Sequence, residues 1–338
     1  MPTIAIDAMG GDSAPEVIVR GVAQASLETD IQCVLVGAED CIQSILDRVH
    51  YNPEHISIRH CREAIGMDED PREAIRVKRD ASILVGARLV SEHRADALVS
   101  AGNTGACVLA CARNFRVIRG IRRTAIASVY PRQVRYPGQD PLALILDVGA
   151  TVRCDATDLV QFALMGNAYA RRISKLEAPR IGLLNMGRES TRGGPVLIEA
   201  YRRLKSQSQL NFVGNVEGND LATGEADVIV CEGLLGNAVL KLVEGLAEVF
   251  ANATNAAAQH RLRWRAGLML LGKALKQIRE LTDYTRYGGA PILGFENMFI
   301  KCHGRSNVHA IRNAVKVAAK AARDNVPSEI AEAVAGMR

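Results

Sequence analysis

An α/β protein in three αβα layers, with a largely parallel sheet covered by helices on both faces, is what this sequence predicts. Three observations carry that expectation. Short apolar runs alternate with segments of helical periodicity along the chain. Strand after strand ends in glycine beside a polar residue. No low-complexity linker and no fixed-period repeat interrupts the 338 residues, so the chain reads as one continuous unit, 1–338. Alternation of this kind is the pattern of strands joined by helical crossovers.

The elements follow in order. TIAID (Thr3–Asp7) is a buried strand, and Glu16–Ser26 is the first amphipathic helix. Strands at Gln32–Val36 and Ile56–Arg59 precede a long helical pattern over Arg72–Ser91. The strand Asp96–Ala101 runs into Gly-Asn-Thr-Gly, after which Val108, Leu109 and Ala112 resume at helical spacing. Strands Ala125–Val129 and Leu142–Asp147 lead to a helix over Asp155–Ile173. Arg180–Asn185, Leu210–Gly214, Asp227–Cys231 and Met298–Cys302 are the remaining strands, with helices over Pro195–Lys205 and Asn237–Ala251. A helical protrusion is expected at about 245–285, because Trp264, Leu268, Leu271, Leu275 and Ile278 step by four and three, the spacing of a packing seam. Met269 and Leu270 widen its apolar face, and Arg261, Arg263, Arg265, Lys273, Lys276 and Arg279 supply cations suited to an anionic lipid surface.

Composition narrows the class. Hydrophobic residues make up 48% and charged residues 23%, as in an ordinary soluble protein. No run is long and apolar enough for a bilayer, and MPTIAIDAMGG has no secretory pattern, so a cytoplasmic location with reduced thiols is expected for the eight cysteines. His50, His55, His60 and Cys61 are too loosely spaced for a zinc site, and no metal is expected. The net charge is +5, concentrated in RNFRVIRGIRRTAIASVYPRQVR, where Arg113, Arg116, Arg119, Arg122, Arg123, Arg132 and Arg135 occur without an acid. Aromatic residues at 4% and the lack of a binding motif point away from nucleic acid, leaving an acidic protein, a phosphorylated ligand or a solvated face.

The glycine-rich junctions carry the chemistry. They are IDAMGGD, SAGNTGA, LDVGA, NMGRES, GNVEGND, CEGLLGNAVLK and KCHGRS. In an open parallel sheet, ligands bind beyond the carboxyl ends of the strands, so the seven are expected to line one edge. Gly102 and Gly105 permit close approach, and Asn103 or Thr104 caps a helix whose first N–H groups lack intrahelical partners. The dinucleotide fingerprint, the P-loop and the GxSxG elbow are all missing, as are a cysteine–histidine pair and a carboxylate cluster. What remains is a site of backbone amides, the amides of Asn103, Asn185, Asn215 and Asn237, and a few cations, suited to a phosphate and an oxyanion.

IAIDAMGGDSAPEVIVRGV, MDEDPREAIRVKRDASI, SAGNTGA, LDVGA, FVGNVEGND, VCEGLLGNAVLKLVEG and YGGAPILGF…IKCHGRS together resemble, in order, the motifs of the PlsX phosphate acyltransferases. The resemblance covers nearly the whole chain. It implies the fold of the isocitrate and isopropylmalate dehydrogenases and of phosphotransacetylase. It also implies transfer of a long-chain acyl group from acyl carrier protein to inorganic phosphate, giving acyl phosphate for phospholipid synthesis. No cofactor is implied. The implied partners are the carrier protein, a second copy in a homodimer, an anionic membrane surface touched peripherally and a downstream membrane acyltransferase. Thr151 and Arg192 stand where the family often has Asn and Lys, and GFEN at 294–297 replaces a more glycine-rich turn.

Placed on these motifs, phosphate sits at the Gly102–Gly105 amides near Asn103, Thr104 and Lys301. Asn185, Gly187, Gly236 and Asn237 face the thioester carbonyl. His303 takes a proton from phosphate, hydrogen-bonds it, or is structural. Asp7 and Asp147 orient donors or cap helices, and Lys241 is a ligand cation or an exposed helix lysine. Gly10, Ser100, Asn215, Glu217, Gly218, Gly288 and Gly289 complete the substrate-binding set. Arg113, Arg116, Arg122 and Arg123 dock the carrier. Two alternatives stay open: a CoA-dependent phosphotransacetylase-like enzyme of the same fold, and a non-catalytic carrier-protein or phosphate-binding module.

Overall fold

The computed structural model describes residues 1–135, 139–260, 267, 270–272 and 288–337. Its strands are β1 (Thr3–Asp7), β2 (Gln32–Gly37), β3 (Ile56–His60), β4 (Ala97–Ser100), β5 (Ala125–Pro131), β6 (Leu142–Leu146), β7 (Arg180–Leu184), β8 (Asn211–Val216), β9 (Val228–Val230), β10 (Ala290–Leu293) and β11 (Met298–Lys301). They form one sheet in the order β3-β2-β1-β4-β11-β10-β5-β6-β9-β7-β8. Alternate side chains enter opposite cores, as the two-residue period of a strand requires. Ile4 and Ile6 of β1 pack with α1 (Glu16–Glu28), α2 (Glu39–Leu46), α6 (Ala156–Ile173), α7 (Gly194–Ser206), α10 (Val308–Arg323) and α11 (Val326–Ala335). Ala5 of β1 and Leu98 of β4 face α3 (Pro71–Val77), α4 (Ser82–Ser91), α5 (Thr104–Asn114), α8 (Gly218–Thr223) and the start of α9 (Gly233–His260).

Sheet polarity departs from the one-edge expectation. β3, β2, β1, β4 and β11 are parallel to one another, and so are β6, β9, β7 and β8. Between them, β11–β10, β10–β5 and β5–β6 are each antiparallel. Three reversals make the two parallel halves run in opposite directions. Lys301 pairs with Ala290, two residues from the Ile292–Ile126 pair, and Leu146 pairs with Ala127. β11 and β6 therefore end at nearly the same level while pointing opposite ways. The junctions after β1, β4 and β11 face those after β6, β7, β8 and β9 instead of sharing an edge with them.

The helical pattern over Arg72–Ser91 is two helices. Ala81 bridges to Glu63, and the Ser82 and Asp80 N–H groups donate to the Glu63 carbonyl and carboxylate at 3.0 and 2.9 Å. That pairing draws the chain out of helical geometry at 78–81. Of the Arg261–Leu281 segment, Trp264, Leu268, Met269, Leu275, Ile278 and all six basic residues lie outside the described residues. The described Leu270 and Leu271 are 89% and 57% exposed.

Several arginines of the basic segment are engaged by neighbouring groups, while Arg113, Arg116, Arg122 and Arg123 remain exposed. Asp155 and Asp158 form a capping box at the start of α6. Arg122 lies 2.6 Å from Asp155, and Arg123 lies 3.3 Å from the buried Asp158. Arg113 donates to the Ile75 carbonyl, and Arg135 pairs with Glu225 at 2.6 Å. Arg116 has no carboxylate partner among the described residues.

Arg132 is buried. It contacts Asp227 at 2.6 Å and donates to the Ala226 and Asp140 carbonyls, while Arg180 brackets Asp227 from the other side. Because Asp227 immediately precedes β9 and accepts the Arg180 N–H of β7 at 2.8 Å, this cluster pins that half of the sheet. Burial alone raises the Asp227 carboxyl, but the bonds from Arg180 and Arg132 outweigh it and hold the group below its ordinary 3.8. A depressed folded-state value stabilises above the unfolded value, and the gain is lost as pH falls through the folded one. Arg132→Met should therefore cost about 3–5 kcal/mol in urea unfolding at neutral pH. The difference from wild type should shrink as the pH is lowered below the ordinary carboxylate range; a variant as stable as wild type at pH 7 would remove the cluster's structural role.

Candidate active site

β1, β4 and β11 end side by side, and one buried carboxylate organises their loops. Asp7 accepts hydrogen bonds from the Ser82 and Ser100 hydroxyls at 2.6 Å each and from the Met9 N–H at 3.3 Å. Ser100 Oγ in turn accepts the Gly102 N–H at 3.0 Å. A Cβ on Gly10 would lie 2.4 Å from Asp7 and 2.8 Å from Gly102 N, so only glycine lets the first loop touch the second. Burial raises the Asp7 carboxyl above its usual range, against the bonds from Ser100, Ser82 and Met9 and the Lys301 charge. Lys301 is itself buried and donates to the Cys302 carbonyl. The Asp12 N–H to Gly304 C=O bond (2.9 Å) and the Cys302 N–H to Ser100 C=O bond (2.8 Å) stitch in the third loop.

The geometry reassigns the donors expected around Gly102–Gly105. The Gly102 N–H is taken by Ser100. Asn103 is consumed locally: its Oδ1 caps α5 at the Ala106 N–H (3.1 Å), and its Nδ2 holds the Met67 and Glu69 carbonyls at 3.0 and 3.2 Å. Gly105 packs on Pro71. The first intrahelical bond of α5 runs from the Cys107 N–H to the Asn103 carbonyl. The Thr104 and Gly105 N–H groups and the Thr104 hydroxyl are thus the donors that the helix start presents.

In the opposing half, Asp147 is fully buried and its carboxylate takes five bonds. Oδ1 accepts from the Ile126, Gly149 and Ala150 N–H groups at 2.9–3.0 Å. Oδ2 accepts from the Thr151 N–H and hydroxyl at 2.7 and 2.8 Å. Thr151 Oγ1 then accepts the Gly233 N–H at 3.1 Å, tying this turn to α9. A Cβ on Gly236 would fall 1.8 Å from the Asp147 carbonyl oxygen, so that glycine seats the helix on the turn. Its N–H is already bonded to the Glu232 carbonyl, which closes it to a ligand.

Between the two sets lies a cavity of about 500 Å³. Asp12, Thr104, Lys241, Lys301, His303 and Arg305 line its polar part, and Ile126, Val129, Val148, Leu240 and Ala290 its apolar part; Asn237 and Gly289 also reach it. His303 Nδ1 accepts the Arg305 N–H at 3.1 Å, and its Nε2 is 3.3 Å from Lys241 Nζ, which also pairs with Glu244 at 2.8 Å. Both ring nitrogens thus face a donor, the Arg305 N–H at Nδ1 and the Lys241 ammonium at Nε2, and a neutral imidazole accepts at only one of them. Burial lowers the His303 value; Lys241, Arg305 and Lys301 add to that, and Glu244 opposes it.

Of the expected site residues, the structure brings Thr104, Asn237, Lys241, Gly289, Lys301 and His303 to this cavity. Asp7, Gly10, Ser100, Gly102, Asn103, Gly105, Asp147 and Gly236 hold the loops that shape it. Another group lies at the ends of β7 and β8, outside the cavity wall. There Asn185 donates to the Arg192 carbonyl (3.1 Å), Asn215 to the Glu189 carbonyl (2.8 Å), and Glu217 and Asp220 cap α8. Gly187 and Gly218 belong to the same loops, and Gly288 packs on the Asn313 carbonyl of α10. Asp12, Met67, Glu244 and Arg305 line the cavity without having been singled out, although each sits inside or beside a quoted motif.

The comparisons agree with this architecture. A family model described as fatty acid synthesis protein matches residues 2–329. The chain is 42% identical over 330 residues to a phosphate acyltransferase of Dictyoglomus turgidum, covering 97% of this chain and 96% of that one. It is 44% identical over 317 residues to a phosphate acyltransferase of Moorella thermoacetica, covering 94% and 91%. A phosphotransacetylase structure from Streptococcus pyogenes superposes with a TM-score of 0.64 at 16% identity, covering 95% and 94%. A 4-hydroxythreonine-4-phosphate dehydrogenase from Klebsiella pneumoniae does so at 0.53 and 12% identity, covering 94% and 98%. These two share the dehydrogenase-like fold with the present chain. Matched over almost its full length by a family model and by relatives above 40% identity, the chain belongs to the phosphate acyltransferase family of fatty acid synthesis proteins.

Proposed function

We propose that this protein transfers a long-chain acyl group from acyl carrier protein to inorganic phosphate, releasing acyl phosphate for a membrane acyltransferase of phospholipid synthesis. The observation that carries the reading is the cavity, where a helix start, Lys301, Lys241 and His303 meet an apolar wall. Phosphate binds at the Thr104 and Gly105 amides beside Lys301 and His303. One of its oxygens attacks the thioester carbon, and Asn237 with Lys241 meets the charge that develops on the carbonyl oxygen. The new O–C bond forms as the C–S bond breaks, and the carrier leaves as thiolate and takes a proton from solvent. Asn185 acts on the shape of its loop. Phosphate is itself the nucleophile, so catalysis is positioning and charge stabilisation. Burial pushes the nearby Cys107 and Cys302 thiols up to about 11 and 12, which suits neither to nucleophilic attack.

Purified protein should release free carrier thiol from palmitoyl-acyl carrier protein only when phosphate is present, with acyl hydroxamate trapped by hydroxylamine. Palmitoyl-CoA in parallel reports whether the carrier is required. Thiol release that ignores phosphate concentration would overturn the assignment.

The acid limb of activity is assigned to His303. Protonating the ring leaves no acceptor for the Arg305 N–H or the Lys241 ammonium, so kcat/KM should fall as pH drops through a value below 6.5. Lys241→Met removes a lowering charge and should move the limb up in pH; Glu244→Gln removes a raising charge and should move it down. Phosphate titrates identically in all three assays, so opposite displacements isolate the ring. Coincident limbs would exclude His303.

The apolar face of α9 supports the homodimer. Leu235, Leu242, Leu246 and Val249 are all exposed and recur at spacings of seven, four and three. Leu270 and Leu271 beyond it support contact with anionic lipid; among the described residues no helix is long and apolar enough to cross a membrane. Leu246→Glu should convert a dimer to monomer in sedimentation velocity, and Leu270→Glu should reduce co-sedimentation with anionic vesicles while keeping the dimer. Unchanged sedimentation in either experiment would remove the corresponding role.

A further inference from the structure

Among the described residues the sheet is incomplete beside β5. β10 begins at Ala290 and pairs with β5 only at Ile126 and Ala125, so from Ser128 to Pro131 this edge of β5 has no partner strand among the described residues. β6 occupies the other edge along that whole stretch. Side chains of consecutive strand residues point to opposite faces, yet Ser128 and Val129 both line the large cavity, which therefore wraps around the open edge. Val129 also lines a second cavity, of about 190 Å³, walled by Leu142, Leu144, Tyr169, Ile173 and Val317. The α6 and α10 residues among these place it on the far face of the sheet. Asp140, Ser174 and Asp227 reach it too; Asp140 accepts the Leu142 N–H at 3.0 Å, and Asp227 is held by Arg132 and Arg180.

We propose that the acyl chain of the donor passes the open edge at Val129 into this second cavity, and that Val129 and Val317 set the chain length accepted. The proposal rests on the acyltransferase reading above. Its physical basis is the polarity of the two compartments. Thr104, Lys301 and His303 fix the reacting carbonyl in the first, where a long hydrocarbon would displace water from charged groups. The second offers mainly aliphatic and aromatic walls, reached through a gap that no described strand closes. Val129 is only half-buried, which leaves its size open to serve as a threshold.

The test is a series of octanoyl- to palmitoyl-acyl carrier protein donors with inorganic phosphate. Each methylene denied burial costs about fourfold in kcat/KM, from about 0.8 kcal/mol per buried CH₂. Val129→Phe narrows the passage, and Val317→Phe fills the second cavity from α10 without touching the first. Both should lower the palmitoyl-to-octanoyl ratio of kcat/KM by more than tenfold, and Val129→Ala should not lower it. Because the measurement is a ratio within one active protein, a general loss of folded enzyme does not imitate it. Wild type inactive with every donor removes the acyltransferase reading and this inference with it. Wild type active, with an unchanged ratio in either phenylalanine variant, removes this inference alone.

Discussion

Reversal of strand direction across β10 and β5 is the constraint on which the rest of this molecule depends. A doubly wound sheet of uniform direction gathers its strand ends along one edge and binds its ligand there. Here two such half-sheets, of five and four strands, are joined head to head by two strands of alternating direction. Loops from both halves thus converge from opposite sides on one cavity. The donors of α5 come from the first half and those of α9 from the second, separated by more than 100 residues of chain. Neither half holds a complete set.

Convergence of this kind needs rigid loops, and two buried carboxylates supply the rigidity. Asp147 gathers backbone donors from a single turn and passes the constraint through Thr151 to α9. Asp7 works through hydroxyls, linking α4, β4 and the Gly102 turn. In both cases the carboxylate faces protein donors and the cavity is left to cations and amides. The contrast matters electrostatically, because an uncompensated carboxylate at the cavity wall would oppose an anionic ligand. Asp12 and Glu244 are the carboxylates that do line it, and Glu244 is paired with Lys241.

Much of the fold was legible because periodicity encodes burial. The two-residue alternation of Ile4-Ala5-Ile6 and the helical spacing of α6 report which faces meet a core. Strand direction is not written in that signal, so the reversal was not readable, and four-residue β10 was too short to stand out. Thr104, Asn237, Lys241, Lys301 and His303, polar residues within the glycine-rich junction motifs, reach the cavity. Asn185 and Asn215 share that appearance but use their amides on loop carbonyls, a distinction that only three-dimensional neighbours reveal. Arg132 shows the same limit for charge: a count of arginines in one segment cannot tell a buried partner of Asp227 from an exposed docking group.

The cysteines have a consequence for how this protein is measured. Of the eight thiols, Cys41 is exposed, Cys154 is half-buried and the other six are buried, with Cys33 and Cys61 pushed up to about 12. A folded molecule therefore presents one rapidly reacting sulfur to an alkylating reagent, and a denatured one presents eight. Any colorimetric titration of sulfhydryls in a mixture containing this protein carries a fixed background of one equivalent per chain. That background is itself a gauge of integrity, since the six buried thiols add to it only when the core opens.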